Sequence, residues 1–278
     1  MILNILNNLL SVLFGIAGGI FYFINYSSCT PLGILASVGV ALLCLIVSWI
    51  VLFIIIWLFF ISVSVFINPK KQYEKPSKIF NAIFILWYSY ICSVARIRIH
   101  TKGLELVPQD RKFLIVGNHR SNFDNMIQAY KLSSTQLSYI SKPENFKIVL
   151  ARRYMIRAMY LSIDRDDVRN ALKTIMRAID LIRKNVLSIG IFPEGTRSKT
   201  GELGDFKPGS LKIAEKAQCP IVVCCLEGTE NIHKNFPFKP THVQMEILKV
   251  IEPEEIKNSN TVDISEQIKQ MLFERLGK

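Results

Sequence analysis

Along its first 68 residues the chain is almost unbroken hydrophobic sequence: no Lys, Arg, Asp, Glu or His occurs before Lys70. One turn-rich segment, NYSSCTPLG at 25–33, interrupts it with Pro31 and Gly33. Before the break, Ile2 to Phe23 is apolar but diluted by Asn4, Asn7 and Asn8, and after it 34–67 is nearly continuous. A bilayer core takes about 20 helical residues. The pattern therefore predicts two apolar helices over 1–68, a membrane-associated helical hairpin. The second run exceeds the span and can tilt or bend. The first spans only if its asparagines sit near the surface. Residues 2–24 compare poorly with a signal peptide, lacking a positive n-region and a persuasive cleavage site, so a retained anchor is expected. A buried hairpin in a soluble protein is the other alternative, and runs of this length seldom fit one.

Beyond the anchor the pattern changes twice. Lys70, Lys71, Lys75 and Lys78 form a basic linker, followed by IFNAIFILWYSYICSVARI at 79–97. Its Trp87, Tyr88 and Tyr90 suit an interfacial amphipathic helix and suit a core helix almost as well; the reading adopted is a linker and interfacial helix over 69–94. From 95 to 278 strand-like and helix-like segments alternate. Strands are expected at 95–103, 112–118, 136–142, 161–165, 186–192, 220–226 and 242–251. Helices are expected at 122–133, 144–160, 166–185, 209–218 and 263–276. The 166–185 helix carries Val168, Leu172, Ile175, Met176, Ile179 and Ile182 at close to a 3.6-residue period. Such alternation predicts an α/β fold, with a mixed, largely parallel central sheet covered by helices.

Charge sharpens the division. The whole net charge of +12 lies after residue 69. Lysines flanking an apolar run favour the cytoplasmic side and anionic headgroups, so the expected location is the cytoplasmic face of the cell membrane. The charge would also suit nucleic acid, but no recognisable binding motif accompanies it, and none is expected as partner. The six cysteines (29, 44, 92, 219, 224 and 225) show no metal-ligand spacing, so neither a metal site nor a disulfide framework is expected. Cys224 and Cys225 read as small apolar strand residues.

The unusual polar residues fall at predicted strand ends, where α/β sheets bind ligands. GNHRSNFDNMI at 117–127 places His119, one of four histidines, straight after a buried-looking strand, with Asp124 five residues on. An imidazole titrates near neutrality and can take a proton from a hydroxyl if a carboxylate orients it. The same stretch reads equally as a capping box, Ser121 as N-cap and Asp124 at N3. The two readings are compatible, and spacing alone leaves both open. FPEGTRSKTGELGDFKPGS at 192–210 follows another strand. Gly195 lets backbone approach a ligand, and Arg197 offers a charged planar fork. Glu194 can bind a hydroxyl, orient Arg197 or pair with a cation. An ordinary solvated surface loop is the alternative. Lys142 and Arg165 add cations at two more strand ends, and three cations near a histidine point to an anionic substrate.

These residues resemble a known family. NHRSNFD matches the H-x4-D signature of glycerolipid acyltransferases of the 1-acylglycerol-3-phosphate acyltransferase type, and FPEGTRS matches its second hallmark. IDR at 163–165, FKPGS at 206–210 with CPIVVCCLEGT at 219–229, and GLELVP at 103–108 resemble further blocks, in the family's order across about residues 85–230. The resemblance implies that His119 is the general base on a glycerol hydroxyl and Asp124 its orienting acid. It implies that Arg197, with Arg165 and Lys142, holds the acceptor's phosphate. Glu194, Gly195, Thr196 and Ser121 would line the substrate. The acyl donor would be a thioester of acyl carrier protein or coenzyme A, with no further cofactor. A lysophospholipid would be the acceptor, in a membrane of lipid partners. The chain departs from the family between Lys142 and Ile163, where PENFKIVLARRYMIRAMYLS has its only proline at 143 and no glycine. It departs again where the strand after Pro220 ends in Leu226-Glu227. Other acceptors of the same chemistry are the enzymatic alternative: glycerol-3-phosphate, another lysophospholipid or a lyso-aminolipid. A non-catalytic membrane adaptor is the alternative from a different class.

Overall fold

No charged residue interrupts the N-terminal run, and on either side of its turn it folds as two long helices. In the computed structural model, which describes residues 1–27, 29–198 and 202–277, these are α1 (Ile2–Tyr26) and α2 (Pro31–Val65). Thr30 starts α2, its side chain accepting from Gly33 N at 3.2 Å, and Pro31 fills the first helical position, where no backbone N–H is needed. Both helices are long and apolar enough to cross a bilayer. They pack along a seam in which Asn7, Ser11, Gly15 and Gly19 recur every fourth residue of α1 and are buried. Asn7 is buried in this seam, and the exposed Asn8 accepts through Oδ1 from Trp49 Nε1 of α2 at 3.0 Å.

The chain divides into units 1–67 and 68–278. In the second unit the described strands are β1 (Ile97–Lys102), β2 (Leu114–Gly117), β3 (Leu137–Ser141), β4 (Leu161–Ser162), β5 (Ser188–Ile191), β6 (Ile221–Glu227) and β7 (Thr241–Ile251). They form one sheet in the order β1-β7-β6-β2-β5-β3-β4, in which only the β6–β7 pair is antiparallel. The helices are α3 (Lys78–Val94), α4 (Asp124–Lys131), α5 (Val149–Arg157), α6 (Val168–Arg183), α7 (Lys212–Ala217), α8 (Ile232–Asn235), α9 (Pro253–Lys257) and α10 (Thr261–Leu276). This is the mixed, largely parallel α/β architecture expected from the alternation.

Central strands β2, β5 and β6 are buried along nearly their whole length, which is why they read as continuous apolar runs. Leu114, Val116, Ile189, Ile221 and Val223 pack with α6, α7 and α10 in one core. Each such fully buried side chain contributes about 1.5–3 kcal/mol. Burial pushes the thiols of Cys92, Cys219 and Cys225 up to about 12, so they behave as small apolar side chains.

Five elements depart from the sequence pattern. Helix α3 is a core helix on its aromatic face: Phe84, Trp87, Tyr88 and Tyr90 are buried, and Phe84 stacks on Tyr154 of α5 at 5.6 Å. The segment expected as linker and interfacial helix is thus part of the α/β unit. The helix expected at 144–160 is split into a 3₁₀ run, Pro143–Lys147, and α5, separated by extended Ile148. Asn145 Nδ2 donates to Ser141 Oγ at 2.7 Å and holds that first turn against the end of β3. The apolar stripe of α6 is only half core: Ile179 and Ile182 are buried, whereas Val168, Leu172 and Met176 are exposed. Helices α8 and α9 are single turns, too short to show a period.

Gly190 of β5 is paired with Tyr139 of β3, whose ring lies across it. A Cβ at residue 190 would stand 2.3 Å from that ring. Gly190→Ala is expected to destabilise the fold by about 1–3 kcal/mol, lowering Tm by roughly 2–4 °C per kcal/mol. A thermal melt of the detergent-solubilised chain checks this, and an unchanged Tm would contradict the packing.

Candidate active site

The site grows from the carboxyl ends of four parallel strands. Strand β2 stops at Gly117 because Asn118 closes its end onto β6: Asn118 Nδ2 donates to Leu226 O at 2.6 Å, and Leu226 N donates to Asn118 Oδ1 at 2.8 Å. The next residue, His119, leaves the ladder. Its ring lies against Phe192, centroids 4.1 Å apart and planes within 10°. Phe192 in turn faces Tyr139 at 6.0 Å. An aromatic wall anchored in the sheet therefore fixes the imidazole plane.

Asp124 fixes its rotation. His119 Nδ1 meets Asp124 Oδ2 at 2.8 Å. The same oxygen accepts from Arg120 N and Ser121 N, both at 2.7 Å. Asp124 is fully buried, and among the described residues its other oxygen, Oδ1, has no hydrogen-bond partner. A buried carboxylate with one oxygen this heavily bonded orients its neighbour and stabilises an imidazolium. Nδ1 is thereby engaged, and Nε2 is the nitrogen left to meet a substrate.

The capping reading holds in altered form. Helix α4 begins at Asp124, three residues later than Ser121. Asp124 still reaches back to Ser121 N, as a box requires, while Ser121 Oγ accepts from Phe123 N at 3.3 Å. Cap and histidine partner are one side chain.

The second motif is tied to the first through the histidine's own backbone. His119 N donates to Glu194 Oε1 at 2.7 Å, and Ser198 N donates to His119 O at 2.9 Å. Glu194 Oε2 accepts from Gly204 N at 3.0 Å. Burial pushes the Glu194 carboxyl up from its ordinary value, against the pull of these two backbone donors. Gly195 has φ +77°, and its carbonyl accepts from Arg165 Nη1 at 2.7 Å. A Cβ there would stand 2.1 Å from that guanidinium nitrogen, so only glycine fits both the conformation and the contact. Loss of solvent lowers the pKa of Arg165 from its ordinary value, and it remains a cation.

A cavity of about 160 Å³ opens here, lined by His119, Lys142, Arg165, Gly195, Thr196 and Arg197 together with Asn122, Asn125, Tyr139 and Tyr160. It is smaller than the ~300–1,000 Å³ of pockets that enclose drug-sized ligands, and suits a headgroup. Arg197 and Lys142 are exposed around it. Seven expected residues thus come together: His119 and Asp124 as a bonded pair, and Lys142, Arg165, Gly195, Thr196 and Arg197 around the cavity. Glu194 and Ser121, expected against substrate, are not among its lining residues, because their polar groups are engaged with backbone. Among the described residues no salt bridge joins Glu194 to Arg197 or to another cation; its oxygens hold the two loops together.

Sequence reasoning missed Asn118, Phe192, Tyr139 and Gln128. Tyr139 OH donates to Gln128 Oε1 at 2.8 Å, one helical turn beyond Asp124, and Tyr160 OH lies 3.0 Å from Tyr88 OH. Burial pushes the Tyr139 phenol well above its ordinary range and that of Tyr160 up to about 12, so both stay protonated. Asn118 and Phe192 are the first residues of the two motifs and lie within reach of a reading by adjacency. Tyr139 and Gln128 carried no such signal.

Comparison with known proteins gives this geometry a context. Residues 98–227 match the family model described as Acyltransferase. The chain is 31% identical over 187 residues to the 1-acyl-sn-glycerol-3-phosphate acyltransferase of Borreliella burgdorferi, spanning 64% of this chain and 73% of that protein. It is 38% identical over 134 residues to the chloroplastic 1-acyl-sn-glycerol-3-phosphate acyltransferase BAT2 of Brassica napus, spanning 47% of this chain and 38% of the relative. The fold is similar to the crystal structure of the 1-acyl-sn-glycerophosphate (LPA) acyltransferase PlsC from Thermotoga maritima. That match has a TM-score of 0.62 and 20% identity, and covers 98% of this chain and 95% of the other.

The buried Glu194 has a measurable signature. Its folded pKa lies above the unfolded value of about 4.3, so stability contributed by the protonated form is present below that pH and is lost as pH rises through the folded pKa. Urea unfolding should therefore show the wild type losing stability relative to Glu194→Gln as the pH rises from about 4 toward neutrality. Parallel stability curves for the two proteins would contradict the burial argument.

Proposed function

The chain belongs to the 1-acyl-sn-glycerol-3-phosphate acyltransferase family and is an acyltransferase, and on that premise we propose that it acylates the sn-2 hydroxyl of 1-acylglycerol-3-phosphate to give phosphatidic acid. The observation that carries this reading is the 2.8 Å His119–Asp124 pair at the edge of a cavity ringed by Lys142, Arg165 and Arg197. In the proposed reaction His119 Nε2 takes the proton of the glycerol hydroxyl as its oxygen attacks the thioester carbonyl. The new C–O ester bond forms, the C–S bond breaks, and the imidazolium returns its proton to the departing thiolate. Asp124 stabilises the imidazolium between these steps. The acceptor's phosphate sits among the three cations, with Arg197 supplying a bidentate fork and Lys142 a point charge. Gly195 and Thr196 shape the wall beside it. The donor is an acyl thioester of carrier protein or coenzyme A, and no enzyme nucleophile is needed. The two long apolar helices α1 and α2 are proposed to hold the domain at the cytoplasmic face of a membrane, where acceptor and product reside.

The test is turnover of purified full-length protein with an acyl thioester and a panel of acceptors, read by product mass. His119→Ala is expected to lower kcat by roughly 10²–10⁴-fold. Arg197→Ala is expected to raise KM for phosphorylated acceptors while leaving a lyso-aminolipid unaffected. Equal turnover of wild type and His119→Ala would sink the general-base role. Preference for an acceptor without phosphate would sink the assignment of the cations.

A further inference from the structure

A second cavity, of about 370 Å³, lies on the far side of Tyr160, which lines both it and the His119 cavity. Its rim carries Lys70, Lys71, Lys173 and Arg177, and no carboxylate is among its lining residues. Among the described residues, the nearest compensation is Asp180, which pairs with Arg177 at 3.2 Å and with Lys184 at 2.9 Å. Lys71 Nζ and the Arg157 guanidinium lie over the two-sided ring of Tyr73, at 5.6 and 4.5 Å from its centroid. The floor is apolar, made by Ile156, Met159, Leu161 and Leu181. A concave site with cations at the rim and hydrocarbon below matches a ligand with an anionic head and an apolar body.

The surface beside this cavity has the same two-part character. On α6, Val168, Leu172 and Met176 recur every fourth residue and are 79%, 59% and 57% exposed. One position along, Arg169, Lys173 and Arg177 form a parallel basic row at the same spacing. Residues four apart share one helix face, so α6 presents an apolar stripe directly alongside a basic one. A soluble surface gains nothing by exposing three large apolar side chains in a row, whereas a helix lying at a bilayer surface buries such a stripe among acyl chains and sets its lysines and arginines at headgroup level. Lys70 and Lys71 follow the end of α2 at Val65 by only five and six residues, at most ~3.6 Å of chain each. If α2 enters a bilayer, these lysines cannot lie far from its surface.

We propose that this cavity binds one anionic phospholipid of the membrane, its headgroup held by Lys70, Lys71 and Lys173 at the rim and its acyl chains over the apolar floor of Ile156, Met159, Leu161 and Leu181. The proposal rests on the membrane reading of α1 and α2, and it is independent of the acyl-transfer reading of His119. It adds a lipid site separate from the reaction cavity, one side chain away across Tyr160.

Native mass spectrometry of the full-length protein in non-ionic detergent tests it, with dioctanoylphosphatidylglycerol as probe and dioctanoylphosphatidylcholine and inorganic phosphate as comparisons. Binding of one phosphatidylglycerol is expected, about tenfold or more tighter than phosphatidylcholine. The double variant Lys70→Glu/Lys173→Glu should lose about tenfold or more in affinity, while Arg98→Glu/Lys234→Glu, with the same change in net charge, should lose less than about twofold. Arg197→Ala should leave binding unchanged. Equal weakening by both double variants would reduce the effect to overall charge and overturn the proposal. So would loss of binding in Arg197→Ala, which would place the lipid in the reaction cavity, or displacement by inorganic phosphate at equal concentration. Turnover measured on the wild type separates the two readings: a wild type that turns over but binds no phosphatidylglycerol overturns this proposal alone, and one that binds phosphatidylglycerol but does not turn over overturns the acyl-transfer reading alone.

Discussion

A single oxygen, Asp124 Oδ2, organises the site: it accepts from His119 Nδ1, Arg120 N and Ser121 N within 2.8 Å. Three donors on one buried oxygen turn the chain sharply between the end of β2 and the start of α4. The turn aligns the imidazole in the same act, since the two backbone donors and the ring donor belong to consecutive residues. Taking a carboxylate fully out of water is costly unless such donors replace the solvent. Asp124 would therefore be a poor residue to place here for helix capping alone, and the cost is understandable if a histidine must be held.

That constraint propagates into the sheet. His119 is tethered at its side chain by Asp124, at its ring face by Phe192, and at its backbone N–H and carbonyl by Glu194 and Ser198. Phe192 and Glu194 both belong to the stretch after β5, so the two motifs are two halves of one bonded structure. Tyr139 extends the wall beneath them, and it can do so because its register partner on β5 is Gly190. Packing in the core thus reaches the imidazole through two rings, Tyr139 and Phe192, and rigid support of this kind is what a positioned general base requires.

Much of this could be read along the chain. Strands β2, β5 and β6 announce themselves as short apolar runs because burial on both faces removes any need for alternation. His119, Arg165, Lys142 and Arg197 drew attention because polar chemistry at successive strand ends is what an α/β sheet uses for ligands. What could not be read depends on neighbours distant in sequence. Glu194 looks like a ligand-binding carboxylate until its two backbone partners, His119 and Gly204, are seen. The stripe on α6 looks uniformly core because periodicity reports amphipathicity and not what covers the apolar face; Val168, Leu172 and Met176 are left uncovered by the protein. The aromatics of α3 suited membrane interface and core alike, and their choice was decided by Tyr154 and Tyr160 arriving from elsewhere in the fold. That Asn7 is buried on a helix–helix seam, and that Asn8 meets Trp49 of α2, is invisible in one dimension.

Asp124 is proposed to hold His119 with its proton on Nδ1, leaving Nε2 as the base. Nitrogen-15 chemical shifts of the histidine side chains measure this directly, and with four histidines in the chain the His119 signals can be assigned by comparison with His119→Ala. Neutral His119 is expected to be the Nδ1–H tautomer in the wild type and to lose that preference in Asp124→Ala. A neutral His119 protonated on Nε2 in the wild type, or a tautomer unchanged by removal of Asp124, would contradict it.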